Sequence, residues 1–263
     1  MHGEEAKPYD ISTSILTGAA ADFTEGHETP FHRHARCQLL YAAEGLMRVD
    51  TPAGRWLVPP ARAVWISPWV EHRMSVRGPA RIRSLFVDNQ RVLGLPAVDG
   101  MIPVSPLLRA VIDELASLGM QAIESRRGRL MAHLLREELA APMDPAFHLP
   151  WPTDRRIRQV CEAVSVEGER RDWDAAHWAD ALAMSVKTFQ RHFQKQTGTS
   201  FGQWRLRARL LSSLQGLMAG ASILQVALAC GYASQSAFTL AFRRHFGMAP
   251  SVFQSQSHAG AHA

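Results

Sequence analysis

Ser185-Val186-Lys187-Thr188-Phe189-Gln190-Arg191-His192-Phe193 decides how the C-terminal third of this 263-residue chain is read. Val186, Phe189 and Phe193 recur at spacings of three and four, so they share one side of a helix. Lys187, Gln190, Arg191 and Gln194 share the other. Ser185 stands where an N-cap belongs. A short helix with an apolar back and a Lys/Gln/Arg front carries the donors that major-groove base edges call for. Arg suits guanine O6 and N7, and Gln suits adenine N6 and N7. Thr188 joins this set as a fifth candidate contact.

Upstream, Asp174–Leu182 reads as a short helix with Trp178 and Leu182 as its apolar positions, followed by a turn at Met184-Ser185. Downstream, Phe201–Met218 reads as one long helix. Its stripe is Phe201, Trp204, Ala208, Leu211, Leu214 and Met218, with Arg205, Arg207 and Arg209 decorating the rest. The first pattern then recurs. Ile223, Val226 and Ala227 mark a short helix, Cys230-Gly231-Tyr232 a turn, and Ser234 a cap. Phe238, Phe242 and Phe246 form the apolar row, and Gln235, Thr239 and Arg243 form another row. Phe189 and Phe238 are equivalent, 49 positions apart. Two helix-turn-helix units joined by one rigid helix are expected to read successive major grooves of a double-stranded DNA operator from one face.

Charge points the same way. Residues 1–153 carry 16 Lys and Arg against 17 Asp and Glu, and residues 154–263 carry 13 against 7. Asp180 is the last acid. From Ala181 to Ala263 there are eight basic residues and none of opposite sign, as a polyphosphate surface requires.

Trp173–Phe253 closely resembles the AraC/XylS family of transcription regulators. The match lies in Ser185–Phe193, Thr197-Gly198, Gly231-Tyr232-Ala233-Ser234-Gln235-Ser236-Ala237-Phe238, Phe242–Gly247 and Pro250-Ser251-Val252-Phe253. The resemblance implies a seven-helix DNA-binding domain. It implies that Lys187, Gln190 and Arg191 contact DNA from the first recognition helix, and Ser234, Gln235 and Ser236 from the second. Ala183 departs from it, standing where the first turn often has Gly. Leu240 stands where some relatives have a polar contact residue.

The first ninety residues read as β. Short apolar runs (Gln38–Ala43, Leu46–Asp50, Arg55–Val58, Ala63–Ile66, Arg81–Val87) alternate with breaks at Glu44-Gly45, Pro52-Ala53-Gly54, Pro59-Pro60, Ser67-Pro68 and Gly78-Pro79. This spacing predicts a small sandwich or barrel. Ser105-Pro106 opens a helix that ends at Gly119. A second helix is expected over Ser125–Ala140, with Leu130, Met131, Leu134, Leu135 and Leu139 inward. The pair is a candidate dimer surface. Four prolines between Pro142 and Pro152 predict an extended linker. The expected fold class is therefore α+β. A cupin-like effector-sensing and dimerising domain spans 1–141, a linker 142–153, and the DNA-binding domain 154–258.

The sensor's chemistry concentrates in Phe31-His32-Arg33-His34-Ala35-Arg36-Cys37-Gln38 and Pro68-Trp69-Val70-Glu71-His72. On a strand, His32, His34 and Gln38 have one parity and point to one face. Together with His72 they form a candidate site for zinc, nickel, iron or manganese. The arrangement resembles the cupin motif HxHxxxE, with neutral Gln38 in place of the acid. Cys37 has the opposite parity and is expected outside the barrel. A metal-free alternative places an organic effector among Tyr41, Trp65, Trp69 and Phe86.

The expected function is transcription regulation by a homodimer, controlled by a small molecule or metal, with RNA polymerase as a further partner if the protein activates. The rival reading is a metal-dependent cupin enzyme, an oxygenase or isomerase. The duplicated basic helix-turn-helix argues against it. Three widely spaced cysteines, a polar N-terminus without a signal-peptide apolar region, and no run of eighteen apolar residues predict a cytoplasmic protein with no membrane partner.

Overall fold

A computed structural model describes residues 12–140, 143–165 and 172–259. It is α+β and divides into two compact units. The first is built mainly from residues 12–50 and Trp56–Pro145, the second from Thr51–Arg55 and Ala146–Ser255.

The strands are β1 (Leu16–Phe23), β2 (Cys37–Thr51), β3 (Gly54–Val58), β4 (Arg62–Ile66), β5 (Arg73–Val87) and β6 (Gly100–Pro103). Pairing is antiparallel: β1 with β5, β5 with β2, β2 with β4, and β4 with β6. Two of the expected breaks are not breaks. β2 runs through Glu44-Gly45, and β5 runs through Gly78-Pro79. The register shifts at Ala42/Glu44 and again at Glu44/Leu46, which marks a bulge. Gly45 sits there at φ +81°, and a Cβ on it would run into the Pro79 carbonyl. The glycine bends one long strand instead of ending a short one.

Alternation along these strands sorts residues onto two faces. Cys37, Leu39, Tyr41, Trp65, Leu85 and Val87 pack in one core with α1 (Pro106–Leu118). Ser105 caps α1, its hydroxyl accepting from the Leu108 amide, and Gly119 closes it at φ +60°. Gly18 of β1 lies so close under α1 that a Cβ would meet the Leu115 carbonyl. The opposite parity, with Gln38 paired to Phe86 and to Ile66, faces away from this core. The organic pocket expected among Tyr41, Trp65, Trp69 and Phe86 is therefore split. Tyr41 and Trp65 face the helices, Phe86 faces the other way, and Trp69 is exposed.

Helix α2 (Arg126–Glu138) begins at the Ser125 cap. Leu135 and Leu139 are buried as expected, and Met131 is partly buried. Leu130 and Leu134 are not, at 52% and 39% exposure. They lie on a neighbouring stripe of the helix that the described residues of the unit leave exposed.

The second unit contains β7 (His148–Pro150), α3 (Arg155–Ser165), α4 (Ala175–Ala181), α5 (Val186–Thr197), α6 (Phe201–Met218), α7 (Ile223–Ala229), α8 (Gln235–Phe246) and α9 (Pro250–Ala259). From Ala146 onward, the run expected to be an extended linker is a packed strap on this unit. Phe147 is buried against Phe246, the indole N–H of Trp204 donates to the Pro150 carbonyl at 2.7 Å, and His245 Nε2 donates to the Ala146 carbonyl at 2.8 Å. The prolines keep the strap extended, and its aromatic side chains fix it to the helices. Residues 141–142 lie outside the described residues.

Ala183 adopts φ +51° in the turn between α4 and α5, where the equivalent turn between α7 and α8 has Gly231 at φ +78°. A left-handed residue with a Cβ is disfavoured by roughly 1–2 kcal/mol, of which glycine's extra unfolded-state freedom returns part. Ala183→Gly is therefore expected to stabilise this unit by roughly 0.5–1 kcal/mol. Its thermal midpoint should rise by about 2–4 °C, read by circular dichroism. An unchanged or lowered midpoint would contradict the strain argument.

Candidate functional site

Two helices present the basic face. In α5 the Ser185 hydroxyl accepts from the Thr188 amide and also bonds the Thr188 hydroxyl at 2.9 Å, so Thr188 is tied into the cap. Phe189 and Phe193 are fully buried, packed edge-on against Phe201. That burial turns Lys187, Gln190, Arg191 and Gln194 outward, and all four are exposed. In α8 the Ser234 hydroxyl caps the Ala237 amide. Phe238, Phe242 and Phe246 are buried, leaving Gln235, Ser236 and Arg243 exposed and Thr239 half-buried. Leu240 is exposed on this outward face. Between the two, α6 spans 18 residues, about 27 Å at the helical rise. A capping box of Ser200 and Gln203 starts it.

Not every basic residue of the acid-free stretch belongs to that face. Arg205 donates to the carbonyl of Trp173, Arg207 to that of His148, and Arg209 pairs with Asp172. Burial pulls Arg205 and Arg207 below the ordinary arginine range. These three arginines tie the unit together. A count of charges could not tell them from Arg191. Their placement along α6, facing the strap and the residues before α4, is what does.

In the first unit, the structure brings together the four residues expected to cluster. His32 and His72 form an isolated bridge with reciprocal backbone bonds of 2.9 and 2.8 Å. The Trp69 amide donates to the His34 carbonyl at 2.8 Å, which docks the 67–72 loop on the same segment. One nitrogen from each of His32, His34 and His72 lies within 4.8 Å of the others. His34 and His72 are 3% and 1% exposed. The Nε2 atoms of both approach the Gln38 amide oxygen, at 3.1 and 2.9 Å.

The other ring nitrogens fix the tautomers. Nδ1 of His32 faces the Pro30 carbonyl at 3.0 Å, Nδ1 of His34 faces that of Arg36 at 2.8 Å, and Nδ1 of His72 faces that of Val70 at 2.8 Å. A carbonyl oxygen only accepts, so each Nδ1 carries the proton. In the neutral rings each Nε2 is then a lone-pair donor. Ser84 on β5 lies 3.5 Å from the Gln38 amide nitrogen. Sequence reading missed Ser84, although it has the same strand parity as Phe86, which packs on His34. Cys37 lies in the helix-facing core, with its thiol pushed up to about 12, mainly by burial.

Comparison with known proteins gives the family. A family model for an AraC-like ligand-binding domain matches residues 16–186, and one for a helix-turn-helix domain matches 178–256. The HTH-type transcriptional regulator NimR of Escherichia coli K12 is 33% identical over 228 residues, 86% of this chain and 82% of that protein. The HTH-type transcriptional regulator RipA of Corynebacterium glutamicum is 38% identical over 104 residues, 40% of this chain and 31% of that one. Among solved structures, ToxT from Vibrio cholerae O395 aligns with 92% of this chain and 98% of its own at 13% identity, with a TM-score of 0.39. No described helix is long and apolar enough to cross a membrane. An AraC-like ligand-binding domain followed by a helix-turn-helix domain, together with similarity to NimR along most of both chains, places this chain in the AraC family of DNA-binding transcription regulators.

Proposed function

We propose that this regulator is switched by a divalent transition metal held at His32, His34, His72 and Gln38. The observation that carries the reading is the convergence of imidazole Nε2 atoms on a buried amide oxygen, with every Nδ1 proton already committed to a backbone carbonyl. The Nε2 atoms of His34 and His72 lie 3.1 and 2.9 Å from the Gln38 amide oxygen, so three donor atoms of kinds that transition metals accept sit side by side. Three imidazoles and one amide oxygen suit zinc, nickel or iron better than calcium or magnesium, and manganese remains within reach of the set. The carbonyls that accept from Nδ1 are the outer partners that orient metal-bound histidines. The donors are all neutral, so the ion's charge is not offset, and moderate affinity is expected.

On DNA, Lys187, Gln190, Arg191 and Gln194 of α5, and Gln235, Ser236, Thr239 and Arg243 of α8, face base edges and phosphates of two successive major grooves. Thr188 and Ser234 contribute mainly by fixing the helix starts, where backbone N–H groups also suit phosphate. Leu240 offers an apolar contact of the kind that thymine methyl groups accept. The exposed pair Leu130 and Leu134 on α2 supports a homodimer, and RNA polymerase is a partner if the regulator activates. The protein acts in the cytoplasm, and its role is regulatory rather than enzymatic.

The test is elemental analysis of the purified full-length protein, paired with its affinity for its own upstream DNA with and without chelator. About one metal ion per chain, whose removal shifts DNA affinity, supports the switch. If the Gln38 amide is instead turned over, its two N–H groups satisfy both rings without a cation. The protein then arrives metal-free and indifferent to chelator, and the effector is organic.

A further inference from the structure

A cavity of about 360 Å³ opens on the first unit between α2, the end of β5 and the segment around Val92. Its floor is made of Leu16, Val87 and Leu135, all buried in the core. Its rim carries Arg91, Arg129 and Arg136, and among the described residues no carboxylate lines it. We infer that this cavity is a second ligand site, separate from the histidine cluster, for a small organic monocarboxylate with an apolar body.

The rim is built from a helical pattern. Arg129, Ala132, His133 and Arg136 fall at i, i+3, i+4 and i+7, so they form one stripe of α2 over the cavity. Two of the arginines are anchored to backbone carbonyls rather than to acids. Arg91 Nη1 donates to Thr13 at 2.7 Å, and Arg129 Nη1 donates to Glu124 at 2.7 Å. A guanidinium has five donors, so each retains several for a ligand, and among the described residues no carboxylate bonds either. Arg136 pairs with Glu137 beside it and adds less. The planar fork of Arg matches a carboxylate. The volume lies at the lower end of the ~300–1,000 Å³ typical of small-molecule sites. At ~30 Å³ per water-sized group it takes a body of about a dozen heavy atoms.

The charge argues against a second copy of the chain as the occupant. A two-fold interface presents the same patch on both sides, so it would set these arginines against their own counterparts. Leu130 and Leu134, which suit a dimer contact, lie about 100–150° round the helix from this stripe. Strand β5 joins the site to the histidine cluster. Val87 lines the cavity from one face of β5, and its neighbour Phe86 packs on His34 from the other.

The experiment is calorimetric titration of the full-length protein with decanoate, and with decanol as its uncharged counterpart. Decanoate is expected to bind saturably, one per chain, and decanol about tenfold more weakly or worse. Arg91→Gln with Arg129→Gln should weaken decanoate about tenfold and leave decanol unchanged. Ala132→Trp should fill the cavity and abolish binding of both. Circular dichroism checks folding. If the tryptophan variant does not fold, the exposed arginine pair decides alone. Equal affinity for acid and alcohol would overturn the inference, as would decanoate binding that survives the tryptophan. An absence of binding, with Ala132→Trp converting a dimer to a monomer, would assign the cavity to a second copy. Chelator does not enter this measurement, so its failure is distinguishable from failure of the metal reading.

Discussion

His32→Ala combined with His34→Ala is expected to leave the full-length protein without metal after dialysis, where the parent is expected to retain about one ion per chain. Two of the four donors are gone in that variant. His72 and Gln38 alone fall short of the three or four protein ligands that transition-metal sites use. Loss of a partner that merely orients a ligand already costs about 10–100-fold in metal affinity, so loss of two ligands should exceed that. The expected companion result is that chelator no longer changes DNA affinity. His34 is buried and its Nδ1 proton serves the Arg36 carbonyl, so its removal also costs about 1–3 kcal/mol of stability. His32→Ala alone supplies the milder arm, because His32 is only half-buried. Gln38→Glu supplies the opposite arm. An anionic oxygen at the same place offsets the ion's charge and should tighten binding. Full occupancy in the double alanine variant, with its fold intact, would remove these histidines from the site.

The helix-turn-helix pair was legible in the sequence because its determinants are local. Aromatic residues at spacings of four, and a serine cap before each recognition helix, set the orientation of the polar face without help from distant residues. The histidine cluster was legible from the spacing of its residues, but not through strand parity: only Gln38 lies on β2, His32 is an isolated bridge to His72, and residues 33–36 belong to no strand, so the loop before β2 brings His34 to Gln38. What could not be read depends on partners far along the chain. Glycine marked an end at Gly45 and Gly78, yet both lie inside long strands whose neighbours continue past them. Leu130 and Leu134 matched a helical stripe as well as Leu135 did, and only the tertiary packing selects which stripe is buried. The proline-rich strap looked like a linker because nothing local shows that Phe147 and Pro150 have partners at Phe246 and Trp204.

Arg191 and Arg205 make the sharpest comparison for DNA recognition. Each substitution to alanine removes one positive charge from the same acid-free stretch. Arg191 is exposed on the outward face of α5, while Arg205 donates to the Trp173 carbonyl at 2.8 Å. If Arg191 makes a bidentate contact with a guanine, Arg191→Ala costs about 1–3 kcal/mol on the operator, or roughly 5–150-fold in affinity. Binding to random DNA should change far less, and discrimination should relax at one base pair. Arg205→Ala should instead lower the thermal midpoint and leave the ratio of operator to random DNA nearly unaltered. A purely electrostatic role predicts another pattern. Arg191→Ala would then weaken both DNAs alike and reduce the slope of log affinity against log salt by about one. Gel-shift titrations at several salt concentrations, with operator and random duplexes, separate these cases. Unchanged operator affinity in Arg191→Ala would move base readout away from α5. The exposed residues of α8, with Leu240 among them, would then have to supply the specificity.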